Sequence, residues 1–422
     1  MMEQAVDDRA RIVLGLQCNN CNILLSEQPR YNCPEAACAA PGLEVVYDYA
    51  RIKQSVTRGE RWLLDTPSMW RYANLLPCRE SPRVGLSTGG TPLVEANNLA
   101  RTIGLEKLYI KDDSTNRPTL SYKDRVVATA INKAIEFGFE AIGCVSTGNV
   151  ANSVSALAAA ARLPAFVVVP ENTEQGKIIG SLIYGAQVVR VRGNYDDANQ
   201  LCRELVKTND KIGVVNINLR SYYSEGAKTV TYEIAEKLGW RLPKHIILPL
   251  AGATLLLKTA KAVKELQDLG LIDLSPVKIY GAQAAGSSPI ANAFEAGRDN
   301  IIPVVPDTIA SSLAIGNPGD GRAALLAVRD SGGRIGAVSD EEIKEGIELL
   351  ARTEGIFAEA AGGTTMAVTR KLVISGLIPR NEEVVMVITG NGFKTPDPIL
   401  GRLNLLKEIN NDLNELRRVV NL

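Results

Sequence analysis

Beyond residue 107 the chain settles into a regular alternation of short apolar runs and longer amphipathic stretches. The apolar runs cover residues 107–111, 141–146, 165–169, 187–191, 213–217, 246–250, 278–283 and 384–389. Most are rich in Val and Ile and continuous, the pattern of strands buried on both faces of a parallel sheet. Between them, residues 149–162, 196–207, 225–238 and 255–269 carry apolar positions at helical spacing. Strands alternating with helices predict an α/β fold with mostly parallel sheet. Right-handed crossovers make such sheets open and doubly wound, with ligands at the carboxyl ends of the strands. Upstream the pattern is looser. Residues 52–76 read as helical or irregular, with Trp62, Trp70 and Tyr72 as anchors, and Gly89-Gly90-Thr91-Pro92-Leu93 reads as a turn before a helical stretch at 95–103.

Bulk properties narrow the class. A chain of 422 residues has room for more than one compact unit, and no internal repeat or low-complexity linker divides it. Lys+Arg and Asp+Glu both number 47, so no excess of positive charge points to nucleic acid. The apolar stretches break well before the roughly 20 residues a membrane helix needs. The opening Met-Met-Glu-Gln-Ala-Val-Asp-Asp is acidic and lacks an apolar core, so it reads as neither secretory signal nor transit peptide, and the expected location is cytoplasmic. His245 is the single histidine, which excludes chemistry needing two imidazoles. It opens the apolar run 246–250 and is read as a strand-edge residue; a hydrolase built on it is poorly supported.

Residues 11–47 carry Cys18-x2-Cys21 and Cys33-x4-Cys38, followed by Leu43-Glu-Val-Val-Tyr. Thiol pairs at this spacing suit tetrahedral zinc, because each short knuckle turns both sulfurs inward. A ribbon without metal is the alternative, and disulfides are disfavoured in a reducing compartment. Cys78, Cys144 and Cys202 lack partners at ligand spacing and read as buried small hydrophobes.

The most informative stretch is Asn116-Arg117-Pro118-Thr119-Leu120-Ser121-Tyr122-Lys123-Asp124-Arg125, which links the run at 107–111 to an amphipathic helical pattern at 126–137. A cation just inside a helix start opposes the positive end of the helix dipole, which favours the neutral, nucleophilic amine. This stretch resembles the lysine motif of the fold-type II pyridoxal-phosphate enzymes, and of the threonine synthases in particular. Gly89–Leu93, Ser146-Thr147-Gly148-Asn149, Glu354-Gly355-Ile356-Phe357 and Thr389-Gly390-Asn391-Gly392 fit that family in the expected order, over residues 85–396. Gly281–Pro289 and Ile309–Gly316 also look like threonine synthase, as scaffold and pocket wall.

The resemblance implies two α/β lobes of the tryptophan synthase β type behind a small Cys-containing ribbon. The ribbon would span residues 1–48 and the catalytic body 49–422, with a smaller mobile lobe at about 125–225. It implies that Lys123 carries pyridoxal 5'-phosphate, that Asn149 meets the phenolic oxygen and that the Thr389 hydroxyl meets the pyridine nitrogen. Ala251, Gly252, Ala253, Thr254 and Leu255 would cradle the cofactor phosphate, although the family often has more glycines there. Ser121, Ser146 and Thr147 would bind substrate, Ser146 and Thr147 at its carboxylate; helix capping by the same loop is the plainer reading. Arg220 and Lys228, near a strand end, are candidates for the phosphate of a dianionic substrate, or simply a solvated charged loop. The implied reaction converts O-phosphohomoserine and water to threonine and phosphate, in an enzyme that is often a homodimer. Three departures stand out: Arg117 is inserted, Leu120 stands where a small residue is frequent, and Tyr122 replaces phenylalanine. Leu120 leaves open a cysteate-synthase-like reaction on a related phosphorylated amino acid. Loss of catalysis on the same fold is the other alternative, against which Lys123, Asn149 and Thr389 stand together.

Overall fold

The computed structural model describes residues 12–35, 38, 42–59, 62–401, 403 and 408–420. The acidic opening of the chain, residues 1–8, lies outside them. In chain order the described strands are β1 (Val13–Cys18), β2 (Leu24–Leu25), β3 (Leu43–Tyr47), β4 (Leu93–Glu95), β5 (Leu108–Asp112), β6 (Ala141–Val145) and β7 (Ala165–Pro170). There follow β8 (Gln187–Val191), β9 (Ile212–Val214), β10 (His245–Pro249), β11 (Lys278–Ala284), β12 (Ile335–Val338) and β13 (Val384–Ile388).

They form three sheets. A small antiparallel ribbon has the order β2-β1-β3, a larger sheet runs β12-β11-β10-β13-β5-β4, and a third runs β8-β7-β6-β9. The larger sheet is parallel except for edge strand β4, and the third is wholly parallel. The expected α/β architecture is therefore present, with a ribbon ahead of it.

The continuous apolar runs have a direct cause. In β13, Val385 and Val387 enter one hydrophobic cluster while Val384, Met386 and Ile388 enter another on the opposite face. Strand β10 divides likewise, with Ile246 and Leu248 on one side and Ile247 on the other. A strand alternates its side chains between faces, so both sets must be apolar when helices cover both. Edge strand β8 escapes this demand and carries exposed Gln187 and Arg190.

Two expectations are corrected in extent. The run at 213–217 stops as a strand at Val214, because side-chain amides take over the ladder. Asn216 bonds both backbone groups of Val145 at 3.1 Å, and Asn218 bonds Val214 N and Ile212 O at 2.7 and 3.0 Å. The helix read at 225–238 is two helices, Arg220–Glu225 and Lys228–Lys237. The aromatic anchors hold as read: Trp62 packs against Trp240 and Tyr72 at 5.7 and 6.4 Å, and Trp70 Nε1 donates to Gly85 O at 2.9 Å. His245 heads β10, remote from that strand's carboxyl end, and is held by Tyr280 and Glu382 at 2.9 and 2.6 Å. Among the described residues no helix is long and apolar enough to cross a membrane.

Candidate active site

The carboxyl ends of β5, β6, β10 and β13 carry the loops singled out in the sequence, as expected for an open α/β sheet. The lysine turn follows β5 and is stitched to the end of β13. Tyr122 N donates to Thr389 O at 2.9 Å, Asn391 N donates to Leu120 O at 3.1 Å, and Ser121 forms a bridge with Gly390. Lys123 and Thr389 are thereby brought together by backbone hydrogen bonds. Lys123 opens the helix Lys123–Glu136, which has no side-chain cap. Its Nζ donates to Tyr122 Oη at 2.7 Å and lies 4.5 Å from the centre of that ring. Burial pushes the neighbouring Tyr223 phenol up, although the Lys123 charge pulls against it.

Leu120 sits at φ +59°, in the left-handed region that a side chain with Cβ adopts reluctantly. That conformation explains why a glycine would suit the position. The turn tolerates leucine because both its backbone groups are bonded, N to Asn116 O at 2.9 Å and O to Asn391 N.

Behind the turn, charges are buried in pairs. Arg125 makes a two-pronged contact with Asp113 at 2.6 and 2.8 Å and another with Glu233 at 2.5 and 2.8 Å. Lys111 Nζ donates to Glu233 at 2.6 Å and to Thr91 Oγ1 at 2.5 Å. Burial alone would raise Glu233, but Arg125 and Lys111 outweigh it and hold the carboxyl well below the usual range. Asp124 accepts from Thr119 N, Thr119 Oγ1 and Ser153 Oγ at 2.6–2.8 Å, tying the turn to the helix Asn149–Ala161.

That helix starts at Asn149, straight after the loop Ser146-Thr147-Gly148. No side chain caps it, so the capping reading of this loop fails and the first-turn N–H groups remain available to an anion. Asn149 Nδ2 donates to Glu359 at 2.9 and 3.2 Å, and its Oδ1 accepts from Lys394 Nζ at 2.6 Å. Burial raises the Glu359 carboxyl despite these donors. A Cβ at Gly390 would meet the Glu359 carboxylate, so a side chain there would push that carboxylate aside. Glu359 and Lys394 were missed in the sequence. The signal was adjacency: Glu359 stands two residues after the Glu354–Phe357 motif, and Lys394 two after Gly392.

The loop Ala251–Ala253 joins β10 to the helix Thr254–Asp268, which also lacks a side-chain cap. Ala253 adopts the left-handed conformation at φ +69°. A left-handed residue just before an uncapped helix start turns successive N–H groups toward one point, which is what an anion needs and needs no extra glycine. Gln283 supports the loop by donating to Leu250 O at 3.3 Å while accepting from Ile290 N and Ala291 N, the scaffold role expected of its segment.

The two candidate phosphate cations part company. Arg220 Nη2 lies 3.2 Å from Thr254 Oγ1 and 2.9 Å from Asp320, with about a fifth of its side chain exposed. Lys228 is fully buried, paired with Glu225 at 2.8 Å and Glu265 at 3.0 Å, and stacked 4.2 Å from the centre of the Tyr47 ring. It is spent on packing, not offered to a ligand.

In the ribbon, the Sγ atoms of Cys18, Cys21, Cys33 and Cys38 all lie within 4.8 Å of one another. The Cys18–Cys38 and Cys21–Cys33 pairs are 3.4 and 3.6 Å apart. Both exceed the ~2.05 Å of a disulfide. They approach the ~3.8 Å edge of a tetrahedron with bonds of ~2.3 Å to zinc. Desolvation pushes the Cys18 thiol up, but N–H groups of Cys21 and Asn20 and the neighbouring sulfurs outweigh it and bring it to about 6.

Comparison with known proteins identifies the family. A family model described as pyridoxal-phosphate dependent enzyme matches residues 84–390. The chain is 39% identical to the threonine synthase of Methanocaldococcus jannaschii, over 90% of this chain and 93% of that protein. It is 40% identical to that of Methanosarcina acetivorans, over 85% and 87%. Among solved structures, a threonine deaminase from Solanum lycopersicum superposes with a TM-score of 0.61 at 19% identity, covering 87% of this chain and 98% of that one. Maize serine racemase gives 0.60 at 20% identity, covering 78% and 91%. At such identity the superpositions speak for the fold alone.

Proposed function

The chain belongs to the pyridoxal-phosphate-dependent enzymes, with the threonine synthases among its relatives, and on that footing we propose that it converts O-phosphohomoserine and water to L-threonine and phosphate. The observation that carries this reading is that backbone hydrogen bonds join the Lys123 turn to Thr389 while uncapped helices start after the carboxyl ends of β6 and β10. The donors fit the cofactor. The turn that carries the Lys123 amine is bonded to the backbone of Thr389, and a left-handed turn opens an uncapped helix for the phosphate.

Lys123 would hold the cofactor, the backbone of Ala251, Gly252, Ala253 and Leu255 with the Thr254 hydroxyl would take its phosphate, and Thr389 and Asn149 would receive its ring nitrogen and phenolic oxygen. When bound, pyridoxal phosphate supplies the electron sink that stabilises negative charge on substrate carbon. Glu359 and Lys394 fix the Asn149 amide from both ends, so its orientation is set before any ligand arrives. Ser146, Thr147 and the helix start at Asn149 receive the substrate carboxylate, and Ser121 lines the same turn. Arg220 receives the substrate phosphate at the end marked by Thr254. Lys123 Nζ moves protons at Cα and Cβ, with Tyr122 Oη as the hydrogen-bond partner that steers it. Thr389 is neutral, so it does not hold the ring nitrogen protonated and tempers the sink.

The ribbon, 1–48, precedes the body, 49–422, whose smaller lobe at about 125–225 closes over the cleft and excludes water until it adds at Cβ. The four ribbon thiols hold structural zinc, supported by their spacing. The enzyme works as a cytoplasmic homodimer, the dimer supported by the dimeric habit of the family it resembles. The test is phosphate release from O-phosphohomoserine with threonine identified in the product. The parent should form both, and Lys123→Ala should lose at least about a hundredfold. A yellow parent that releases no phosphate from this substrate would overturn the substrate assignment.

A further inference from the structure

The ribbon contributes more than its thiols. Residues 22–32 connect the two cysteine knuckles, and β2, two residues long, is their one described strand segment. This connection lies along the short helix Arg220–Glu225. Gln28 exchanges hydrogen bonds with Tyr222 Oη at 2.8 and 3.0 Å, and Ser221 Oγ donates to Arg30 O at 3.4 Å. Tyr31, two residues before Cys33, then reaches the phosphate end of the site. Its ring centre lies 5.6 Å from Arg220 Cζ, and its Oη donates to Asp320 Oδ1 at 3.4 Å. Asp320 Oδ2 holds the same guanidinium at 2.9 Å, and that guanidinium touches Thr254 Oγ1. Arg220 is therefore enclosed by three groups, one of which arrives from the ribbon.

We propose that Tyr31 is a positioning residue that holds Arg220 for the substrate phosphate, and that zinc on Cys18, Cys21, Cys33 and Cys38 holds Tyr31 in place. Tyr222 and Ser221 hold the middle of this loop and Leu43 N donates to Tyr31 O at 3.0 Å, but with so little secondary structure the loop's order also depends on where its ends are held. A tetrahedral thiolate site between residues 18 and 38 fixes both ends at once, and metal binding is then ordering free energy for the loop. A guanidinium held between a ring and a carboxylate presents its N–H fork in one orientation, which a phosphate reads directly. The ribbon thus sets affinity at the anion end without supplying a catalytic group. This inference rests on the reading of the site given above.

The experiment uses the holoenzyme with its cofactor. Zinc content is measured by mass spectrometry, inorganic phosphate binding by calorimetry, and KM and kcat with O-phosphohomoserine. The parent should carry one zinc per chain. Tyr31→Ala should keep zinc and cofactor absorbance while KM and the phosphate dissociation constant rise about tenfold, with kcat moving far less. Tyr31→Phe, which keeps the ring, should recover most of the loss. Cys33→Ser should lose zinc, weaken phosphate to a similar degree and speed hydrogen exchange in residues 22–32. A zinc-free parent, or a Cys33→Ser protein that binds phosphate as the parent does, would overturn the link to the metal. Unchanged phosphate binding in Tyr31→Ala would overturn the role of Tyr31. Calorimetry needs no turnover, so these outcomes stay separable from a wrong substrate.

Discussion

Two buried charge clusters flank the cleft, and they do different work. Beneath the lysine turn, Lys111, Arg125, Asp113 and Glu233 form a closed set in which no side chain is more than 3% exposed. At the root of the ribbon, Lys228, Lys258 and Lys261 meet Glu225, Glu265 and Glu44, and this set opens to solvent at Glu44, which is 34% exposed. The first lies wholly within the catalytic body and fixes the turn that presents Lys123. The second joins the ribbon strand β3 to three helices of the body, Arg220–Glu225, Lys228–Lys237 and Thr254–Asp268. Both contain as many cations as carboxylates, yet one is pre-organised by guanidinium forks and the other by flexible lysines shared between acids. Buried pairs of this kind are weak evidence for added stability, but breaking one is costly because the partner is left unpaired.

The largest effect should come from breaking the closed set. Glu233→Ala strands Lys111 and Arg125 with one acid between them, and should cost about 3–5 kcal/mol in denaturant unfolding. A loss below about 1 kcal/mol would mean that water reaches this cluster. The two sets together predict acid lability. Glu233 and Glu225 are held below the usual range, Arg125 and Lys111 outweighing desolvation for the first and Lys228, Lys258 and Lys261 for the second. A carboxyl depressed in the folded state lends stability that is fully present above its unfolded value, near ~4.3, and is lost as pH falls below it. Unfolding midpoints between pH 7 and 3.5 should therefore fall steeply at the acid end. Glu233→Gln should flatten that fall, and an unaltered slope in the variant would assign it to other carboxyls.

The difference between the clusters also marks how far the sequence could be read. Runs such as Val384–Ile388 announced their strands because both faces had to be apolar, and the motif order pointed to Lys123, Asn149 and Thr389. Lys228 and Arg220 looked alike, cations just past a strand end. What separates them is how completely the fold encloses them: Glu265 and Tyr47, remote in sequence, close over Lys228 until it is fully buried, whereas Arg220 meets Asp320 and keeps about a fifth of its side chain exposed. Glu359 and Lys394 stayed hidden for the same reason, since their partner Asn149 lies some two hundred residues away. Edge strands β4 and β12 were missed because they are short, at three and four residues, and only partly buried.

An intermediate effect should sharpen the contrast between the two cations. Lys228→Met should destabilise by about 2–3 kcal/mol, the scale of hydrogen bonds to charged groups, because Glu225 and Glu265 each keep other donors. Its KM for O-phosphohomoserine should stay within about twofold of the parent, whereas Arg220→Met should raise KM by about tenfold or more with a smaller change in stability. A tenfold KM change in Lys228→Met at unchanged stability would restore that lysine to the substrate.

The smallest effect belongs to the open end of the second cluster. Glu44 accepts from Lys258 at 2.6 Å and from Lys261 at 3.0 Å, but both lysines also reach Glu225, so its removal leaves no cation alone. A partly exposed pair contributes at most about 1 kcal/mol, and Glu44→Gln should shift global unfolding by less than that. The loss should instead appear locally, because β3 meets the body through this residue and through the ring of Tyr47. Hydrogen exchange should quicken in residues 13–18 and 43–47 while β10 and β13 stay protected. If exchange quickened equally in β13, ribbon and body would unfold as one unit, and the separation drawn between the two clusters would be one of position alone.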